Sequence, residues 1–215
     1  MSQVFPEWAN KVPRVILAGL IVFGTTVVFV VWYFFTPKYT DVGYAPDQPV
    51  PYSHQFHVGE LGLDCQYCHT TVKVSAKAAI PPAATCMNCH SQIKTDSPKL
   101  EPIREAYFND KPVEWVRVHM LPDYSYFNHS AHVNVGVSCV SCHGRVDRME
   151  VVTQKERLSM GWCLDCHRNP APNLRPVEEV TNLAWEAPED PQTYGEKLMA
   201  GKNIHPPLYC NGCHR

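Results

Sequence analysis

Apolar residues are distributed unevenly along the chain. From Val15 to Phe35 runs VILAGLIVFGTTVVFVVWYFF, 21 residues without a charge. At a rise of about 1.5 Å per residue, a helix of that length spans roughly 30 Å, the thickness of a bilayer's hydrocarbon core. Lys11 and Arg14 stand on its N-terminal side, and Trp32 and Tyr33 near its far end have the character of interface residues. The pattern predicts one transmembrane helix over 15–35, with 1–14 cytoplasmic and the chain beyond Pro37 on the opposite side. The run is long for the apolar part of a cleaved signal, and Phe34-Phe35-Thr36-Pro37-Lys38 offers no small-x-small cleavage site. It is therefore read as a retained anchor. Gly19 and Gly24 are too far apart for a Gly-x-x-x-Gly dimer motif, although Ala18, Gly19 and Thr25 are small enough to face a partner helix.

Beyond a linker at 36–50, the pattern changes and two stretches repeat one another. Tyr52-Ser-His54-Gln-Phe-His57 precedes a short apolar and glycine segment that ends at Cys65. Phe127-Asn-His129-Ser-Ala-His132 precedes a similar segment ending at Cys139. The first repeat covers about 51–92, the second about 126–169, and a final related segment occupies 205–215. The expected fold class is mostly α and irregular, with short helices, long connections and little β. Residues 170–209, rich in proline and acidic side chains, are expected to wrap the surface, as a partner-docking arm or as a loosely ordered loop.

Formal charge is nearly balanced, 19 Lys+Arg against 21 Asp+Glu, which argues against a nucleic-acid partner. The 10 Cys and 11 His change the picture. Every cysteine belongs to a Cys-x-x-Cys pair, and each pair is followed at once by histidine: Cys65, Cys68 and His69; Cys86, Cys89 and His90; Cys139, Cys142 and His143; Cys163, Cys166 and His167; Cys210, Cys213 and His214. Disulfides and zinc ribbons do not require a histidine at that place. A c-type haem does: the two thiols add to its vinyl groups and the adjacent imidazole becomes an axial iron ligand. Five such sites predict five c-type haems, attached outside the cytoplasm, in agreement with the orientation of the helix. The haems supply much of the apolar core, which explains how so proline-rich a chain folds compactly.

Proximal ligands are then His69, His90, His143, His167 and His214. His54, His57, His119, His129, His132 and His205 remain for the second axial positions, and enough candidates exist to saturate every iron. By the repeat, His54 serves the first haem and His129 the third. Residues i and i+3 share one side of a helical turn, so His57 and His132 reach a neighbouring haem, that of their own module or one beyond. His119 is a further candidate and His205 a weaker one. Met160, three residues before Cys163, is the methionine that fits a His/Met iron of higher potential, with a core-packing role as the alternative. Saturated irons indicate electron transfer, and iron-bound histidines do not act as pH switches.

Residues 51–90 and 126–167 resemble the class III multihaem cytochromes, whose members place His-x-x-His ahead of Cys-x-x-Cys-His. A fuller likeness comes from the single anchor, the five sites, the run from Trp115 through His119, Met120 and Tyr126 to His132, and Leu158-Ser-Met160-Gly-Trp-Cys163. Together these resemble the pentahaem subunit of alternative complex III, with 170–209 the weakest part. That resemblance implies an electron-transfer subunit, without a substrate site of its own, in a quinol:acceptor oxidoreductase of the bacterial inner membrane. The implied partners are an integral membrane quinol-oxidising subunit, an iron–sulfur protein, other cytochrome subunits, and a soluble cytochrome or copper carrier or an oxidase as acceptor. Two other functions compete. Anchored tetrahaem cytochromes that oxidise quinol by themselves keep a methionine just after their first haem histidine, whereas Thr70 and Thr71 follow His69 here. A nitrite- or hydroxylamine-converting enzyme needs an open or lysine-ligated iron, and no attachment site departs from Cys-x-x-Cys-His.

Overall fold

The computed structural model describes residues 4–214. Met1–Gln3, which open the segment assigned to the cytoplasm, and Arg215, which closes the fifth-haem segment, lie outside the described residues. The chain divides after Val42 into two units.

In the first unit a 3-10 turn at Glu7–Lys11 leads into the helix Val12–Phe34. Pro13 sits in its first turn, where a missing N–H removes no helical bond. At the other end Thr36 precedes Pro37, and a residue before proline avoids the α conformation; Thr36 is extended and a new turn runs over Pro37–Thr40. The helix therefore starts three residues before the uncharged run and stops one short of its end. Thr25 turns its hydroxyl back on the Ile21 carbonyl at 2.8 Å, so the apolar stretch carries no unpaired hydroxyl there. Among the described residues this is the one helix long and apolar enough to cross a membrane.

The second unit contains no strand among the described residues, only isolated bridges at Ser125–His214 and Val137–Leu174. Its helices are short: Ala83–His90, Glu101–Phe108, His129–Val133, Met160–Arg168 and Pro191–Lys202, with single turns at Cys65–Cys68 and Val140–His143. The mostly helical and irregular class read from the sequence is the observed one. One apolar cluster joins Val50, Ala83, Met87, Ile103 and Ala106, with Leu100, Val113 and Trp115 packed against it.

The remaining buried apolar side chains come largely from the segment expected to lie loosely on the surface. Ala171 (1% exposed), Leu174 (3%), Val180 (1%), Leu183 and Ile204 are all buried, which corrects the loosely ordered alternative for that segment. The segment is tied in by backbone bonds. Arg175 N–H donates to the Gly136 carbonyl at 2.9 Å, and the buried Ser138 hydroxyl donates to the Val180 carbonyl at 2.8 Å. Gly136 is required there: its φ is +102°, and a Cβ would lie 2.1 Å from the Arg175 oxygen.

Helix Pro191–Lys202 has the ends its sequence dictates. The Asp190 carboxylate accepts from Thr193 N–H at 3.0 Å, Pro191 takes the first position, and Asn203 ends the helix in the left-handed conformation. Gly195 lets this helix press against the turn Ala171–Asn173, since a Cβ there would fall 1.8 Å from the Ala171 oxygen. Gly195→Ala is therefore expected to cost about 1–3 kcal/mol. Gly201→Ala, on the same helix and facing open space, is expected to be neutral or to gain up to about 1 kcal/mol. Thermal unfolding of the haem-loaded protein followed by circular dichroism separates the two; equal shifts would refute the close-packing account.

Candidate haem-binding sites

All five Cys-x-x-Cys-His segments lie on helical turns, where positions i and i+3 face the same way and two thiols project together. The turn closes on the histidine. His69, His143 and His214 donate their backbone N–H groups to the carbonyls of Cys65, Cys139 and Cys210, each at 2.9 Å. Local caps fix two of these turns, Asp64 accepting from Gln66 N–H at 2.7 Å and Ser159 from Trp162 N–H at 3.4 Å. No disulfide joins any of the ten cysteines. Eight are partly buried, and Cys89 and Cys210 are exposed.

The imidazoles are oriented by their inner nitrogen. His69 Nδ1 lies 2.7 Å from the Ala79 carbonyl, His90 Nδ1 3.0 Å from that of Ile93, His167 Nδ1 2.8 Å from that of Pro207, and His214 Nδ1 3.1 Å from that of Tyr124. A carbonyl only accepts, so Nδ1 must carry the proton and Nε2 keeps its lone pair. The same holds for His57 on Ser53 (2.8 Å), His132 on Asn128 (2.8 Å) and His129 on Ala76 (3.0 Å). His143 differs: its Nδ1 meets His119 Nε2 at 3.3 Å, the rings inclined at 76°. His54 Nδ1 is buried without a hydrogen-bond partner. His205 is arranged the other way round, with Nε2 occupied by Asn203 Oδ1 at 3.0 Å.

Ring separations bring particular histidines together. Ring centroids lie 6.2 Å apart for His57 and His90, 6.0 Å for His132 and His167, and 6.5 Å for His129 and His143, whose planes are nearly parallel at 12°. With metal–nitrogen bonds of about 2 Å, two imidazoles sharing one metal ion stand roughly 6 Å apart. His119 and His143, at 4.3 Å, are too close for that. His69 lies close enough to His54 to disfavour protonation of the His54 ring.

An aromatic ring packs each histidine pair in the same manner. Tyr52 meets His54 edge-on at 86° and stacks on His57 at 21°; Phe127 meets His129 at 88° and stacks on His132 at 28°. The recurrence of an aromatic residue two positions before each pair was the only sequence signal of this wedge. The backbones beneath differ, a π-helical segment Gln55–Glu60 in the first repeat and an α-helix His129–Val133 in the second.

Burial favours the neutral ring at His143, His54, His119 and His132. His143 is driven down to about 3, first by burial and then by His119 and His129, and His54 to about 4 by burial and the neighbouring His69. Burial also lowers His119 and His132. The same effect raises the thiols of Cys68, Cys86, Cys163 and Cys166, and carries Cys142 up to about 12. Met160 stands 61% exposed at the first position of its helix, so it does not fill a gap in the core.

The donor set fits haem. Among the described residues no three His, Cys, Asp or Glu side chains converge, as a bare metal ion requires, whereas a porphyrin brings four nitrogens and asks the protein for two axial ligands. Arg175 is buried near Cys139 with its Nε unpartnered and its guanidinium 5.0 Å from the centre of the Trp185 ring.

Residues 131–215 match the family model described as Cytochrome c3. The multihaem cytochrome c subunit of menaquinone reductase from Nitratidesulfovibrio vulgaris (strain Hildenborough) is 33% identical over 98 residues. That similarity covers 45% of this chain and 46% of the relative, so the chain spans under half the length of the curated relative it matches. With three of the five attachment sites inside the matched stretch, residues 131–215 carry a cytochrome c3-like multihaem domain.

Proposed function

We propose that this chain is the electron-relay subunit of a membrane complex that exchanges electrons with a quinone, carrying five covalently attached haems on the outer face of a bacterial inner membrane. The observation that carries the reading is the pairing of imidazoles at 6.0–6.5 Å with Nδ1 committed and Nε2 free. Bound haem iron supplies one-electron exchange, and two axial ligands leave no position for a substrate.

The ligand assignments follow the repeat. His54 pairs with His69, His57 with His90, His129 with His143 and His132 with His167. His214 takes Met160, whose exposure leaves it available at the start of the helix that carries Cys163. His119 acts on the third site through the Nδ1 of His143, and His205 is spare. Thiol and imidazole contributions at each site come from one helical turn, so covalent attachment and the first axial bond are made by the same few residues.

The N-terminal helix anchors the chain in the membrane, and Lys11 and Arg14 set the haem unit on the far side from the cytoplasm. A quinone partner is supported from two directions. The sequence resembles the pentahaem subunit of alternative complex III, which implies quinol oxidation in a neighbouring membrane subunit. The Nitratidesulfovibrio relative is named as part of a menaquinone reductase, the opposite direction. A relay serves both, because the direction is set by potentials and not by the conductor.

Intact-mass measurement of the purified protein is expected to show five haems; four or fewer would remove the basis of the reading. Low-temperature electron paramagnetic resonance of the oxidised protein is expected to lose one low-spin signal of five in His132→Ala and one in Met160→Ala, and none in His205→Ala. Retention of all five in His132→Ala rejects that ligand. Stopped-flow mixing with a short-chain quinol is expected to leave the isolated chain oxidised and to reduce it within the assembled membrane complex. Fast reduction of the chain alone would instead identify a quinol dehydrogenase in its own right.

A further inference from the structure

Numbering the attachment sites 1 to 5 along the chain, the contacts between them do not follow that order. Sites 1 and 2 meet through their intervening residues: Asn88, between Cys86 and Cys89, donates to the hydroxyl of Tyr67, between Cys65 and Cys68, at 3.2 Å. The Tyr52 ring, edge-on to His54 and stacked on His57, lies between the histidines assigned to sites 1 and 2. Site 1 also borders site 3. The Cys65 thiol lies 4.0 Å from the Thr181 carbonyl, and Cys139 N–H donates to the carbonyl of the adjacent Val180 at 3.4 Å, so consecutive peptide groups hold both sites. The loop after His69 is bound to the same region, Asn134 donating to the Lys73 carbonyl at 2.9 Å and Ser130 N–H to that of Ser75 at 3.2 Å.

Sites 3 and 4 are joined by one short helix. His129–Val133 presents His129 to His143 of site 3 and His132 to His167 of site 4. Site 4 meets site 5 where His167 Nδ1 is held by the carbonyl of Pro207, three residues ahead of Cys210. Among the described residues, no hydrogen bond or ring contact joins the Cys-x-x-Cys-His residues of site 2 to those of sites 3, 4 or 5, or those of site 1 to those of sites 4 or 5. Solvent exposure agrees independently: the two exposed cysteines are Cys89 of site 2 and Cys210 of site 5.

We infer that the five sites form one unbranched row in the order 2, 1, 3, 4, 5, with the sites at Cys86–Cys89 and Cys210–Cys213 as its two solvent-facing ends. The inference rests on the five-haem reading above. It makes the first-attached haem an interior member of the row and places the crossing between the two repeats at sites 1 and 3, held by the segment Val180–Thr181.

The test is a two-dimensional nuclear Overhauser spectrum of the fully reduced, haem-loaded full chain in detergent micelles. Each haem is identified through the β protons of its own cysteines. Inter-haem cross-peaks are expected for the pairs 2–1, 1–3, 3–4 and 4–5. A cross-peak between 2 and 3, 1 and 4, or 2 and 5 overturns the order, as does absence of the 1–3 peak when the other three are present. Addition of a soluble gadolinium chelate is expected to broaden the thioether signals of haems 2 and 5 most, and strongest broadening at haem 1 or 3 overturns the assignment of the ends. Fewer than five haems in the spectrum would remove the reading beneath the inference, a result distinct from five haems in another order.

Discussion

An imidazole offers a metal one nitrogen only when the other is committed elsewhere, and that constraint organises the second unit of this protein. At His69, His90, His167 and His214 the commitment is to a backbone carbonyl, which fixes tautomer and ring plane in one bond. The carbonyls belong to chain stretches that are neither helix nor sheet, and the irregularity of the fold serves this purpose. A regular helix has spent its carbonyls on its own ladder; a loop has carbonyls to give. His57 and His132 use a carbonyl of their own segment, that of the residue four before each.

The thin protein core follows from the same economy. Eleven apolar side chains are buried among the described residues, few for a unit that runs from Gly43 to the C-terminus. Large flat groups held by several helical turns take the place of interdigitated aliphatic layers. That arrangement also explains why no single helix has to carry a long apolar stripe. The two repeats show how loosely the backbone is specified: a π-helical segment and an α-helix deliver the same edge-on and stacked ring contacts.

Much of the site was legible in the residues because its chemistry is local. Two thiols three apart and a following histidine fit one turn, and nothing beyond the turn is needed to read them. The pairing of His57 with the ring of His90, and of His132 with that of His167, lay within the expectation that each second histidine turns to a neighbouring site. What escaped the sequence depends on contacts distant along the chain. The contact of His119 Nε2 with His143 Nδ1, between residues 24 apart in the chain, was one such feature. Residues 170–209 read as a loose arm because their apolar side chains follow neither the helical nor the strand period. Leu174, Val180 and Leu183 are buried by irregular turns that bond to Gly136 and Ser138, far upstream. The wedge of Tyr52 and Phe127 was visible as a recurring letter but not as a contact.

The carbonyl that holds His167 belongs to Pro207, forty residues later in the chain. On the proposed topology, Cys163 and Cys166 cross the membrane and meet the attachment machinery before that carbonyl has emerged. At that stage the His167 ring lacks the bond that fixes its plane. The fourth site is thus chemically complete early and geometrically complete late, and the C-terminal segment acts as a latch on a centre formed before it. Loss of the last residues, as by premature termination or proteolytic trimming, would therefore be felt at two centres and not at one.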